Sequence, residues 1–114
     1  MTAANDLHVT NPVAKMEELV RAAEAGNADA LLTTRVVLAN ALIKGRPVDE
    51  DRLQRLAIRV GKNARAVVGS PYIFRWGALL TVISDYIEHK QVAMPDGRVA
   101  TAEGWNYDNY EVPQ

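Results

Sequence analysis

The sequence predicts a mainly α fold, in which a single domain of four helices is followed by a C-terminal β-hairpin or an extended aromatic arm. Two observations predict the helices: apolar residues recur at helical spacing along residues 11–90, and glycines separate the helical stretches. A third observation, the Pro-Asp-Gly turn signal at residues 95–97 between two short β-compatible stretches, predicts the hairpin. Because the joints between the helices are short, we expect each helix to pack mostly antiparallel to the next.

A capping residue or a glycine marks most of the predicted helix ends. The predicted helices cover residues 11–25, 27–44, 49–68 and 70–90, and the first three end at Gly26, Gly45 and Gly69. Asn11 and Ser70 are residue types that accept hydrogen bonds from the free N–H groups of a first helical turn. Each is followed by a proline, which suits the first helical position because no donor is needed there.

The fourth helix carries a wide apolar face. At about 100° per residue its large apolar side chains share one arc, so we expect it to form the central wall of the core. The residues of that arc are Ile73, Leu80, Ile87, Trp76, Ile83, Tyr72, Leu79 and Tyr86. The predicted core packs Trp76, Leu79, Leu80 and Ile83 against Leu31, Leu38, Leu42, Leu53, Leu56 and Val60.

Composition divides the chain into three parts. We expect a flexible leader at residues 1–10, the four-helix domain at residues 11–90, and the hairpin or arm at residues 91–114. An isolated two-stranded hairpin is marginal in water. We therefore expect residues 91–114 to pack on the helices or on a neighbouring chain.

The bulk composition excludes several classes of function. The 114 residues carry a net charge of −1, which gives no global field to attract nucleic acid or a membrane. The chain has no cysteine, and this excludes disulfides, thiolate metal ligands and cysteine nucleophiles. The first twelve residues have neither a basic start nor an apolar run, so we expect no signal peptide. Because Arg75, Asp85 and Glu88 interrupt the fourth helix, we expect no membrane partner and a cytoplasmic location. The preference for arginine over lysine suggests a bacterial or phage origin.

The third helix carries a row of basic side chains opposite its apolar stripe. This basic ridge consists of Arg52, Arg55, Arg59, Lys62 and Arg65. One interpretation is an anion-binding surface for nucleic acid or an acidic protein. The structural interpretation is the solvated back of an amphipathic helix, with acids at its start and bases downstream, as the helix dipole favours. The acidic residues after Lys90 could also mask the ridge, which weakens the nucleic-acid hypothesis.

Arg35 is predicted to point into the apolar arc of the second helix. A guanidinium on a core face must be paired or must reach water along its aliphatic stem. The structural interpretation is a salt bridge to Glu17, Glu18 or Asp85, or a position near the surface. The functional interpretation is an arginine that binds an anionic ligand in a cleft.

The second face of the fourth helix is built from small residues beside an aromatic one. The predicted oligomer seam comprises Phe74, Gly77, Ala78 and Thr81. A monomer gains little by exposing Phe74, so one hypothesis is contact with the first helix of the same chain. The other hypothesis is a homo-oligomer interface.

Three aromatic residues lie in the acidic, asparagine-rich C-terminal segment: Trp105, Tyr107 and Tyr110. Such a segment is either an ordered flap on its own helices or an arm that anchors on a partner through its aromatic side chains. Both hypotheses stay open at the level of sequence.

Catalytic motifs are missing from the sequence. Asp85 and His89 have the spacing of a two-ligand metal face, but no third ligand follows nearby. We therefore predict no catalytic residues, no metal and no cofactor. The predicted function is a non-catalytic protein–protein interaction module (an adaptor, inhibitor or assembly component) that forms homo-oligomers. The alternatives are a nucleic-acid-binding protein that uses the basic ridge and a binder or enzyme for small anions with a cleft around Arg35.

Overall fold

Four helices are followed by a small three-stranded sheet in the computed structural model, which describes residues 11–107. The helices are α1 (Pro12–Glu24), α2 (Ala30–Ile43), α3 (Glu50–Ala66) and α4 (Ile73–His89), and the strands are β1 (Val92–Ala93), β2 (Arg98–Thr101) and β3 (Gly104–Tyr107). The predicted fold class, mainly α with a C-terminal β-hairpin or arm, is therefore confirmed. The predicted leader at residues 1–10 and the end of the chain after residue 107 lie outside the described residues.

Local sequence explains how the first helix begins and ends. The Asn11 side chain accepts a hydrogen bond from the backbone N–H of Ala14 at 3.1 Å, as a helix cap does. At the other end, Gly26 has a φ of +121°. The N–H of Gly26 donates to the carbonyl of Ala23, and the N–H of Asn27 donates to the carbonyl of Ala22. This Schellman motif needs a left-handed residue at its turn, which is why glycine is suited to it.

Two helices begin later than predicted. α2 starts at Ala30, because the preceding turn is closed by a hydrogen bond from the Ala30 N–H to the Asn27 carbonyl. α4 starts at Ile73, whose N–H donates to the carbonyl of Ser70. These bonds span three residues rather than four, so the first turn in each case is tighter than an α-helix.

All four helices and the sheet contribute to the hydrophobic core: α2 packs against α1, α4 and the sheet, and α3 packs against α4 and α1. Among the predicted core residues, all but two are buried. The exceptions are Leu80 and Leu42, which are half-buried. Leu80 packs over α3, and its Cδ2 lies 3.8 Å from the position that a Cβ atom on Gly61 would occupy. It therefore lies at the edge of the core and not at its centre.

One polar residue, Thr34, is fully buried in this core. Its hydroxyl donates to the Ala30 carbonyl one turn earlier at 2.9 Å, so the buried group is satisfied within its own helix. Within residues 11–107, no buried side-chain nitrogen or oxygen lacks a hydrogen-bond partner.

The sheet is antiparallel, with β2 between β1 and β3. The turn between β1 and β2 is the predicted Pro-Asp-Gly signal, and Gly97 has the positive φ that it requires. Val92 and Ala100 are fully buried where the sheet packs against α2 and α4. The third strand was not predicted, because the segment from Gly104 onward is rich in Asn and Asp, residue types that are depleted in strands.

None of the helices within residues 11–107 is both long and apolar enough to cross a membrane.

Candidate interaction surface

Two arginines of the basic ridge bind acidic residues of α1. The Arg52 guanidinium donates two hydrogen bonds to the Glu17 carboxylate, at 2.8 and 2.7 Å. Arg59 likewise donates two hydrogen bonds to the Glu24 carboxylate, at 2.8 and 2.5 Å. Asn63 donates a further bond to Glu24 at 2.8 Å. These pairs join α1 to α3, so Arg52 and Arg59 have a structural role.

The ion pairs shift the titration of both α1 carboxylates. Hydrogen bonds from Arg52 hold the pKa of Glu17 below its ordinary value, against a smaller opposing effect of burial. Hydrogen bonds from Arg59, and secondarily from Asn63, lower the pKa of Glu24 in the same way. In both cases the folded chain stabilises the ionised form of the carboxyl group.

A pH dependence of stability follows from these lowered pKa values. Because the folded pKa is below the ordinary value of 4.5, the stabilisation is fully present above pH 4.5 and is lost as the pH falls through the folded pKa. We expect the double substitution Glu17→Gln/Glu24→Gln to flatten the acid limb of a plot of unfolding free energy against pH, measured by urea unfolding. The control is Glu18→Gln, which leaves both pairs intact. An acid limb of equal slope in the double variant and the wild type would contradict the assignment.

The other three members of the basic ridge are solvent-exposed. Arg55, Lys62 and Arg65 form no ion pair with any residue between 11 and 107. Ile58 lies among them and is 60% exposed. The described part of the C-terminal segment packs mainly against α2 and α4, and its Asp96 binds Arg98 within the hairpin. These strands therefore do not provide the expected acidic cover for the ridge.

Arg35 lies in a groove between α2 and α4. The groove has a volume of about 200 Å³, and its walls are mostly apolar. The lining residues are Leu31, Leu32, Arg35, Phe74, Arg75, Ala78 and Leu79. Arg35 is half-buried, and burial lowers the pKa of its guanidinium, which nevertheless stays charged.

None of the expected salt bridges of Arg35 forms. Glu17 binds Arg52, Glu18 contacts Lys15, and Asp85 binds His89 at 2.8 Å. Arg35 has no hydrogen bond or ion pair to any other described residue. Arg75, the second arginine of the groove, is paired with Asp29. The groove therefore presents one cation whose donors have no acceptor among residues 11–107.

The predicted oligomer seam on α4 is uncovered in the described structure. Phe74 is 78% exposed, and Ala78 and Thr81 are also exposed. Gly77 is half-exposed, and a side chain at that position would meet nothing within 4 Å. The alternative hypothesis, that the first helix of the same chain covers this strip, is not supported, because α1 packs against α2 and α3.

The structure adds two residues of α2 to this surface. Leu32 is 50% exposed and lines the groove with Phe74, and Val36 is 43% exposed one turn further along α2. We call the surface formed by Leu32, Val36, Phe74, Ala78 and Thr81 the α2–α4 face. The sequence did not indicate the α2 part, because α2 is apolar on almost every side and its pattern does not show which side stays exposed.

Part of the predicted aromatic arm packs against its own chain. Trp105 is on β3, and the Arg98 guanidinium lies 4.3 Å from the centre of its ring, the arrangement of a cation–π contact. Trp105 remains 37% exposed. Tyr107 ends β3, paired with Arg98 in the sheet register, and Tyr110 lies outside the described residues.

Asp85 and His89 are hydrogen-bonded to each other at the end of α4. No group of three histidine, aspartate or glutamate side chains between residues 11 and 107 is placed to hold a metal ion.

Comparisons with protein-family models, with curated proteins and with solved structures find no match for this chain.

Proposed function

We propose that this protein is a small, non-catalytic protein–protein interaction module that forms homo-oligomers through the α2–α4 face. The observation that carries the proposal is Phe74, a large aromatic side chain that is 78% exposed at the rim of an apolar groove. Aromatic side chains that are buried on association are typical anchors of protein interfaces. Leu32, which lines the same groove, adds exposed apolar surface from a second helix, and Val36 is exposed one turn further along α2.

A second copy of the chain is the partner that this face suits best. In a two-fold dimer the same patch is used by both copies, so each exposed Phe74 is covered without any other molecule. The rim of the face also carries charges of both signs, which a copy of itself can match. As an adaptor, inhibitor or assembly component, the protein would use the dimer as its scaffold.

The test is the molecular mass in solution as a function of concentration, measured by analytical ultracentrifugation. We expect the mass to rise from that of a monomer to that of a dimer or higher oligomer between low and high micromolar concentrations. A strictly monomeric mass throughout this range would refute the proposed function.

A second candidate function, nucleic-acid binding by α3, is favoured by the exposed cations Arg55, Lys62 and Arg65, which have no ion-pair partner among the described residues. Against it, the pairing of Arg52 and Arg59 with α1 removes two charges from the ridge. Three phosphate contacts would make the logarithm of the affinity for a duplex fall with a slope of about −3 against the logarithm of the salt concentration.

We expect this candidate to fail, with no salt-sensitive binding of a labelled DNA duplex at low salt in a fluorescence anisotropy titration. Submicromolar binding of the duplex with a salt slope near −3, the value given by about three phosphate contacts, would contradict this expectation. In that case Arg55→Glu/Lys62→Glu should abolish binding. The control Lys44→Glu, which reverses an exposed cation at the end of α2, should leave most of it intact.

A further inference from the structure

The α2–α4 face has opposite charges at its two ends. Phe74, Thr81 and Glu88 recur every two turns along one line of α4, and Phe74 and Glu88 are about 21 Å apart along the helix axis. Arg35 lies in the groove beside Phe74, at the N-terminal end of this line. Glu88, at the other end, is exposed and has no hydrogen bond or ion pair with any described residue.

Neighbouring charges do not neutralise either end. Asp29 is the acidic group on the Arg35 side, and it is paired with Arg75. Asp85 is the other acidic group on the Glu88 side, and it binds His89 and Gln91. Arg35 and Glu88 are therefore the two charges of the face that no described residue pairs.

We propose that two copies of the chain associate with their α4 helices antiparallel, about a two-fold axis near Thr81, so that Arg35 of each copy binds the partner's Glu88. This inference rests on the proposed function and specifies the geometry of the interface. Thr81 is midway between Phe74 and Glu88, so a two-fold axis there exchanges the two ends of the face. Arg35 at the basic end of each copy then meets the partner's Glu88 at the acidic end, and the two-fold axis produces this contact twice.

Charge complementarity selects this arrangement over a parallel one. In a parallel pair, Arg35 would face the partner's Arg35, and the like charges would repel each other across a partly desolvated groove. In the antiparallel pair, the guanidinium donors of Arg35 find a carboxylate, and Arg–carboxylate pairs form strong, directional hydrogen bonds. The apolar walls contributed by Leu32 and Phe74 would exclude water from that pair.

Small side chains between the two ends let the helices approach closely. Gly77, Ala78 and Thr81 lie along the middle of the line, and Ser84 follows them one turn later. No large side chain interrupts the contact there, so the partner's Ser84 can lie over Ala78 while Phe74 lies near the partner's Glu88. The small residues let the two α4 helices approach closely. The exposed apolar groups and the two unpaired charges favour the antiparallel arrangement.

The test is a charge exchange, read out as the dissociation constant from sedimentation equilibrium. We expect Arg35→Glu and Glu88→Arg each to weaken self-association about tenfold or more, because each places like charges together. The double variant Arg35→Glu/Glu88→Arg should return to within about threefold of the wild type, because it restores the pair with its signs reversed.

A matched control separates this specific pairing from a change in overall charge. Glu103 is exposed in the turn between β2 and β3, and its side chain has no ion pair among the described residues. Arg35→Glu/Glu103→Arg has the same net charge as the exchanged pair and should stay as weak as Arg35→Glu alone. If Arg35→Glu does not fold, the neutral substitutions Arg35→Gln and Glu88→Gln replace the charge reversals. Made singly and together in a double-mutant cycle, they give the coupling free energy between the two side chains.

The possible outcomes distinguish this inference from the proposed function. If the wild type associates and the two substitutions act additively, the antiparallel geometry is refuted while the function stands. A monomeric wild type refutes both. If the monomer binds inorganic phosphate through Arg35 and no coupling to Glu88 is found, the groove holds a free anion and the inference is refuted.

Discussion

Replacing Phe74 with glutamate is expected to dissociate the oligomer without unfolding the domain. Truncating an aromatic anchor at an interface typically costs about 2 kcal/mol or more, which corresponds to a dissociation constant raised about 30-fold. The carboxylate adds the free energy needed to remove its charge from water. The monomer itself should tolerate the change, because Phe74 is 78% exposed and loses little packing.

The control for this prediction is an equally drastic change on another surface. Ile58 is 60% exposed on α3, so Ile58→Glu also introduces a charge in place of an exposed apolar side chain. Sedimentation should show a monomer for Phe74→Glu and an oligomer for Ile58→Glu, and both variants should have the far-ultraviolet circular dichroism of the wild type. If only Ile58→Glu dissociates, the interface lies on α3 and not on the α2–α4 face.

Truncating Leu38 to alanine is expected to lower the free energy of unfolding by about 2–5 kcal/mol. Leu38 is fully buried on α2, the helix that contacts α1, α4 and the sheet. The loss combines the transfer free energy of the removed methyl groups with the cavity that they leave in a tightly packed interior. Since small domains are stable by only about 5–15 kcal/mol, this single change removes a large part of the total.

Leu80→Ala is the matched comparison, because it deletes the same atoms at a half-buried site at the edge of the core. Solvent and neighbouring side chains can fill that space, so the loss should be clearly smaller than for Leu38→Ala. Urea unfolding at concentrations where the chain is monomeric gives both values, with unchanged dependence on denaturant. Equal losses at the two positions would mean that α2 is not the centre of the core.

The sequence was most informative where structure depends on neighbouring residues. The Asn11 cap and the glycine that ends α1 were predicted correctly, because a cap and a Schellman turn involve only residues within one or two turns. The Pro-Asp-Gly turn was predicted for the same reason. β3 was missed because its pairing with β2 is decided by contact between strands, and its segment is rich in Asn and Asp, which are depleted in strands.

The candidate interaction surface was only partly predictable. Periodicity assigned Phe74 and Ala78 to the side of α4 opposite the core, and both are exposed. Periodicity did not identify Leu32 as part of the same surface, because the groove forms only when α2 and α4 dock. It likewise did not show that Arg35 would be left without any of its expected partners.

What the sequence by itself determined is the set of helices, their apolar faces and most of their ends, since these follow from spacing and from local hydrogen bonds. Only the tertiary structure decided which of those faces meet. Glu17 and Arg52 are 35 residues apart, as are Glu24 and Arg59, and each pair forms because α1 lies along α3. No local rule brings such residues together. Their proximity depends on how the helices pack, and that packing pairs part of the basic ridge while it leaves the α2–α4 face exposed.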